Sequence, residues 1–272
     1  MRDYIELTKP RITWLILMST GVGYFYGQFY GHAGGFHLLL LLHTILGTGL
    51  MASGTAALNQ WYEREADRHM RRTSARPLPS GRISSRGALA FGIALSVGGF
   101  LDLWLGANFL AGLIGAFTLA SYLFVYTPMK QRTWWSTTVG AVPGAMPPMI
   151  GYAAAAGALT AESWVLFAIL FLWQFPHFYS IAWMYKDDYA RAGIRMLPVV
   201  EPDCRSTARQ IVLYGLALVP VSLAPALLGM SGRVYLIGAL VLGLWFLSSG
   251  VRVAVERQSG STTGNMRIPA RA

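Results

Sequence analysis

Residues 59–79 read NQWYEREADRHMRRTSARPLP, a stretch in which amide, carboxylate and guanidinium groups recur at fixed intervals. Asn59, Glu63 and Asp67 are spaced four apart, so on one continuous helix they share a face, each turned about 40° from the last. Two carboxylates and an amide converging in this way suit Mg²⁺, a hard ion usually held by one or two carboxylates and completed by phosphates and water. Glu65 points to another side. Arg68, Arg72 and Arg76 repeat the spacing before Pro77 stops the helix. Guanidinium groups beside a metal site make a receptor for an anion, most naturally a diphosphate, through bidentate hydrogen bonds. The plainer alternative is a solvated helix end laced with i, i+4 salt bridges. The length of the pattern and its R-x3-R-P ending favour the site.

Three later stretches add polar groups. In YTPMKQRT, residues 126–133, Pro128 ends a helix and Lys130 and Arg132 follow. Alone they read as orientation signals; beside a metal-diphosphate site they become phosphate ligands. Residues 140–157, GAVPGAMPPMIGYAAAAG, are rich in Gly and Pro. Close helix packing explains the glycines, whereas the Pro147–Pro148 pair points to a cavity lining. In residues 173–188, Gln174 and His177 are polar groups inside an apolar run, which argues for function; the alternative is an interhelical hydrogen bond. Trp173, Phe175, Phe178 and Trp183 would suit an isoprenoid chain, a porphyrin plane or an allylic cation if they line a cavity. If they do not, they are interfacial packing. Asp187 and Asp188 offer a second acidic contribution, although adjacent acids on a regular helix cannot both reach one ion. His32, His37, His43 and His69 have no comparable context and read as structural.

The elements that must position these groups are membrane spans. Of 272 residues, 54% are hydrophobic and only 12% charged, against about a quarter charged in soluble domains. That composition excludes a soluble enzyme with one core, a disordered chain and a disulfide scaffold; Cys204 is the sole cysteine. Apolar stretches near 12–30, 36–58, 85–104, 108–127, 137–156, 162–184, 208–229 and 233–252 predict an all-α bundle of eight spans. Sorted by loop, 21 of the 22 Lys and Arg residues fall on one side, Arg233 being the exception. The positive-inside rule makes that side, and the N-terminus, cytoplasmic. The net charge of +10 therefore reports orientation and anion binding rather than nucleic acid. Residues 1–255 form the intramembrane domain, and 256–272 are expected to be a polar, disordered tail.

The motifs N-x3-E-x3-D-x2-M-x-R-T-x2-R-P-L, Y-T-P-x-K-x-R-T, G-A-x-P-P-x-x-G-Y, W-Q-x-P-H-F and D-D-Y-x3-G-x2-M-L-P-V occur in order over residues 4–255. Together they resemble the protoheme IX farnesyltransferase (heme O synthase) family of the UbiA prenyltransferase superfamily. The resemblance implies a helical bundle around a central cavity open to the cytoplasm. It implies transfer of farnesyl from farnesyl diphosphate to a vinyl group of heme B, with addition of water, to give heme O for heme-copper oxidases. Asn59, Glu63 and Asp67 fall on the first acidic motif, which holds Mg²⁺ and diphosphate. Arg72 and Arg76 fall on its arginines, Lys130 and Arg132 on the next basic motif, and His177 on the span-six motif. Three departures stand out. Glu63 replaces the usual Asp, the second acidic motif of quinone-type members is absent with His177 near its place, and eight spans are counted against the family's nine.

In this reading Mg²⁺ and the arginines neutralise the leaving diphosphate, while an aromatic pocket shelters the allylic cation. Heme B is then substrate, not cofactor, and a heme A synthase or oxidase assembly factor is an expected partner. The expected location is a bacterial-type inner membrane. The rival readings are a related prenyltransferase with an aromatic or chlorin acceptor, and a heme-binding or transport protein without chemistry.

Overall fold

The computed structural model describes residues 1–31, 37–201 and 203–260, the last five through their backbone only. His32 lies outside the described residues. All regular elements among them are helical. A short α1 (Arg2–Leu7) precedes α2 (Pro10–Tyr30) and α3 (Leu38–Arg68); α4 (Ser85–Asp102) and α5 (Phe109–Ala120) each continue into a π-helical turn, Leu103–Ala107 and Ser121–Tyr126. A single turn, α6 (Thr127–Met129), leads to α7 (Ser136–Gly144) and α8 (Pro147–Ala156). Then come α9 (Ala161–Met184), the short α10 (Lys186–Arg191) and α11 (Leu197–Val200), and the long α12 (Arg205–Leu227) and α13 (Arg233–Gly260).

Among the described residues, six helical stretches are long and apolar enough to cross a membrane: Leu38–Arg68, Ser85–Ala107, Phe109–Met129, Ala161–Met184, Arg205–Leu227 and Arg233–Val255. The other two expected spans coincide with α2 and with the proline-broken pair α7–α8. Their outer faces carry large apolar side chains, such as Leu15, Phe29, Phe124 and Trp245, which is the surface a lipid solvent requires. The backbone of α13 runs to Gly260, five residues into the stretch expected as a tail; 261–272 lie outside the described residues.

Helix α8 sits at the centre, with every residue from Pro147 to Ala155 buried. The Pro147–Pro148 pair, expected from the sequence to line a cavity, instead packs against a neighbouring helix. Its neighbour is α2, and glycines bring the two backbones into contact: a Cβ on Gly23 would fall 2.0 Å from the Pro148 carbonyl oxygen, and one on Gly151 1.9 Å from that of Thr20. Small residues at the crossing are how helices associate where lipid removes the hydrophobic driving force. Helix α3 packs likewise on α4 through Gly47, Gly54, Gly92 and Gly99. The result is a rigid wall that carries the C-terminal end of α3 to one end of the bundle.

Candidate active site

Because α3 is unbroken from Leu38 to Arg68, its i, i+4, i+8 side chains share a face. Asn59 and Asp67 are buried there, and Glu63 is 14% exposed. Each meets a group from elsewhere in the chain. Lys130 donates from Nζ to Glu63 Oε1 at 2.8 Å. Asn59 donates from Nδ2 to Thr127 Oγ1 at 3.3 Å, and Lys9 Nζ reaches Asn59 Oδ1 at 3.5 Å. Arg76 donates from Nη1 to Asp67 Oδ2 at 2.8 Å. An intramembrane helix end that gathers two carboxylates and three cations from four segments is costly to build by desolvation. It has the residue types that a metal-bound anion needs.

Two local features bring the cations in. Lys9 occupies the break between α1 and α2 with φ of 48°, a left-handed conformation that side chains with a Cβ adopt at a cost of about 1–2 kcal/mol. Gln60 donates to the Leu7 carbonyl at 2.9 Å and ties this break to α3. Burial, and then the neighbouring Arg76 guanidinium, lower the Lys9 pKa to about 8. At Lys130 burial opposes the charge, but the Glu63 carboxylate outweighs it and holds the ammonium well above its ordinary value. The ammonium also lies 4.4 Å from the Tyr126 ring centroid and 5.8 Å from that of Tyr122.

The arginine series departs from the expected helix. Helix α3 ends at Arg68, and residues 70–82 form successive turns. Arg76 returns to Asp67 because the chain folds back, with Thr73 Oγ1 donating to the Asp67 carbonyl at 3.0 Å. Arg82 clamps this turn to α1 through Asp3, Glu6 and the Ala75 carbonyl. Arg68 is 54% exposed and pairs with Glu65 at 2.8 Å, so it is not part of the cluster. Arg72 lies at the rim, its guanidinium over the Tyr185 ring at 5.1 Å and its backbone N–H donating to Asp188 Oδ2 at 3.3 Å. Arg132 is exposed, and it is its backbone that is engaged, the N–H donating to the Met129 carbonyl and the carbonyl accepting from Arg195.

The second acidic pair is also redistributed. Asp187 is exposed, whereas Asp188 is ion-paired with Arg191. On α9 the aromatic residues divide by face. Phe175 is buried and stacks on Tyr214 at 3.8 Å, and Trp183 joins it in a core formed with α12. Trp173 and His177 stack at 4.7 Å on the exposed face. His177, expected as a catalytic and pocket residue, is exposed and stacks on Trp173 one turn earlier, so it lies on the outer side of α9 and away from the acid cluster. Of the expected pocket residues on α9, Gln174 and Phe178 line a cavity in the bundle, with Gln174 donating to the Ala141 carbonyl at 2.9 Å.

Two small cavities flank the Lys130–tyrosine contact. One, of about 210 Å³, is lined by Glu63, Ala66, Thr127, Lys130 and Ile194 among others. The second, of about 100 Å³, is lined by Tyr122, Tyr126, Gly140, Gly144, Gln174 and Phe178. Glycine makes the second one possible, since a Cβ on Gly140 would fall 2.5 Å from the Tyr126 ring and one on Gly144 1.9 Å from Gln174 Oε1. A charged cavity and an aromatic one thus lie on either side of the Lys130–tyrosine contact, the pairing that a molecule with an anionic head and an apolar tail would need. Sequence reading missed Lys9, Thr127, Tyr122 and Tyr126. For Lys9 the available signal was its place just before Pro10, at a helix start facing the same end.

One observation fits Mg²⁺. Asp67 Oδ1 is buried without a hydrogen-bond partner, an oxygen left over after Arg76 takes the other. Among the described residues no three His, Cys, Asp or Glu side chains stand close enough to hold a metal by themselves. Lys9, Arg76 and Lys130 exceed Glu63 and Asp67 by one positive charge. One Mg²⁺ added to that excess would balance a trianionic diphosphate.

The fold and this site define a helical membrane protein equipped to hold a metal-bound diphosphate beside an apolar tail. The chain belongs to the UbiA prenyltransferase family, whose model matches residues 17–266. It is 77% identical over 262 residues to the protoheme IX farnesyltransferase of Solibacter usitatus (strain Ellin6076), covering 94% of this chain and 90% of that protein. The protein of the same name from Koribacter versatilis (strain Ellin345) is 50% identical, over 89% and 78% of the two chains. Among solved structures, a UbiA homolog from Archaeoglobus fulgidus bound to GPP and Mg²⁺ superposes with a TM-score of 0.67 at 19% identity, covering 94% of this chain and 87% of the other. A digeranylgeranylglyceryl phosphate synthase superposes at 0.74 with 18% identity, over 96% and 90%.

Proposed function

We propose that the chain transfers the farnesyl group of farnesyl diphosphate to a vinyl group of heme B, with addition of water, to give heme O for heme-copper oxidases. The name shared by relatives up to 77% identical supports the acceptor. The buried Lys9–Asn59–Glu63–Lys130 chain with Asp67–Arg76 beside it supports the diphosphate end, and is the observation that carries the reading.

Lys9, Lys130 and Arg76 hold the diphosphate and neutralise the charge that develops as the C–O bond breaks. Asn59, Glu63 and Asp67, released from their cations by the anion, would hold Mg²⁺, which supplies Lewis-acid stabilisation of the leaving group. Tyr122 and Tyr126 present ring faces between the head and the apolar chamber, where an allylic cation gains from π contact and from exclusion of water. The heme vinyl π bond supplies the electron pair for the new C–C bond. Water then adds at the carbon next to the porphyrin and loses a proton. Trp173 and His177, on the outer face beside Phe178, mark where a porphyrin arriving from the lipid would meet the chamber. The side bearing the basic loops is assigned to the cytoplasm of a bacterial-type inner membrane. Residues 1–255 are assigned as the prenyltransferase domain. A heme A synthase or oxidase assembly factor is the fitting recipient of the product.

Purified protein supplied with Mg²⁺, farnesyl diphosphate and heme B tests the reading by mass spectrometry. Heme O is the expected product. Unchanged heme B, with prenylation of a hydroxybenzoate, naphthoate or chlorophyllide in its place, would overturn the acceptor.

A further inference from the structure

At the other end of α3, well away from the acid cluster, His43 Nδ1 lies 2.8 Å from Asp102 Oδ1 on α4. The His43 side chain is 35% exposed, and no described residue engages its Nε2. Its surroundings are aliphatic: Leu39 and Leu46, at i−4 and i+3, are 69% and 56% exposed, and Leu105, three beyond Asp102, is 75% exposed. An ionisable pair on a lipid-facing surface is costly, and interhelical adhesion alone yields only about 1 kcal/mol from such a bond. The pair asks for another explanation.

Two details supply one. Asp102 begins a π-helical turn, Leu103–Ala107, a distortion common at functional positions. That turn places Gly106 against the imidazole, where a Cβ would fall 2.5 Å from His43 Cγ and Nδ1. The backbone is shaped to admit the ring. Asp102 Oδ2 is meanwhile buried without a partner, so the imidazole satisfies only one of the two carboxylate oxygens. A histidine oriented through Nδ1 by a carboxylate, with Nε2 open, is the arrangement that metal-ligating histidines show: the carboxylate fixes tautomer and ring angle and raises ligand basicity. Only one protein ligand is present, in an apolar, flat, lipid-facing setting. The metal that fits brings its own equatorial ligands and an apolar disc, namely a porphyrin iron.

We infer that His43, oriented by Asp102 and seated by Gly106, is an axial ligand for heme at a docking site separate from the transfer site. The sixteen residues from His43 to Asn59 put it about 24 Å along α3 from the acid cluster, beyond the reach of one porphyrin to both. Heme bound there is waiting or departing, and the lipid-facing exposure allows exchange with the membrane. The positive iron compensates the Asp102 charge. The ligand class rests on the heme reading of the transfer reaction, but the site is read separately by spectroscopy.

Ferric and ferrous heme B are titrated into the detergent-solubilised full chain carrying Asp67→Asn, so that no product forms, and Soret and α/β bands are recorded. A histidine-ligated spectrum is expected, and it is lost in His43→Gly and restored by free imidazole. Asp102→Asn keeps the ligation but weakens heme binding about tenfold and raises the iron midpoint potential, because the imidazole becomes a poorer donor. Gly106→Ala weakens binding by displacing the ring. Loss and imidazole rescue support the site whether or not the wild-type chain forms heme O, so failure of transfer and failure of this site are distinguishable. A spectrum unchanged in His43→Gly, or lost only in His177→Ala, overturns the proposal.

Discussion

The C-terminal end of α3 and the short helix α10 both carry acids next to arginines, and only the first draws in cations from distant segments. At the end of α3, Glu63 and Asp67 point into the bundle and meet Lys130 and Arg76 from distant segments. At α10, Asp187 is exposed, and Asp188, as covered as Glu63, pairs with Arg191 on its own helical turn and takes only a backbone N–H, from Arg72, from a distant segment. The composition is similar, but the cost is not. Exposed or local pairs contribute about 0–1 kcal/mol, whereas buried charges drawn from separate elements persist only where something compensates desolvation. The difference teaches that cations drawn from other segments, more than residue type or burial alone, mark the α3 end as the place proposed to handle diphosphate and metal.

The comparison can be broken in four places. Chelation of divalent metal should reduce heme O formation to background in a product assay, with recovery on adding Mg²⁺; persistence would remove the ion from the α3 site. Asp67→Asn should lower turnover on the order of 10³-fold while the chain still inserts and elutes as the wild type, because amide and carboxylate have the same shape but only one charge. Lys130→Met should cost about 10²-fold in kcat/KM for farnesyl diphosphate. It should also lower the thermal midpoint, since Glu63 is left buried without its cation at a penalty of about 3 kcal/mol. Asp187→Asn should change turnover by less than about twofold. If it matched Asp67→Asn, the contrast between the two ends would collapse.

Much of this was legible before the structure. Apolar lengths placed the helices, and the four-residue spacing placed Asn59, Glu63 and Asp67 on one face because α3 does run on to Arg68. The arginines were misread by the same logic. Periodicity assumes that the helix continues, and here the chain turns after Arg68, so Arg76 arrives by a fold that no spacing encodes. His177 failed for a related reason: its polarity marked it, but only the packing of α9 decides which of Gln174 and His177 faces inward. Lys9 and His43 were read as an orientation signal and a structural residue. Their partners, Asn59 and Asp102, lie 50 and 59 residues away, beyond any local pattern.

The central claim is that the α3 end activates a prenyl diphosphate for attack by heme. Diphosphate release, followed in purified protein with farnesyl diphosphate and Mg²⁺, tests it most directly. The account predicts release that rises on adding heme B, disappears on chelation, and is lost in Asp67→Asn but kept in Asp187→Asn. Release independent of both metal and Asp67 would contradict it.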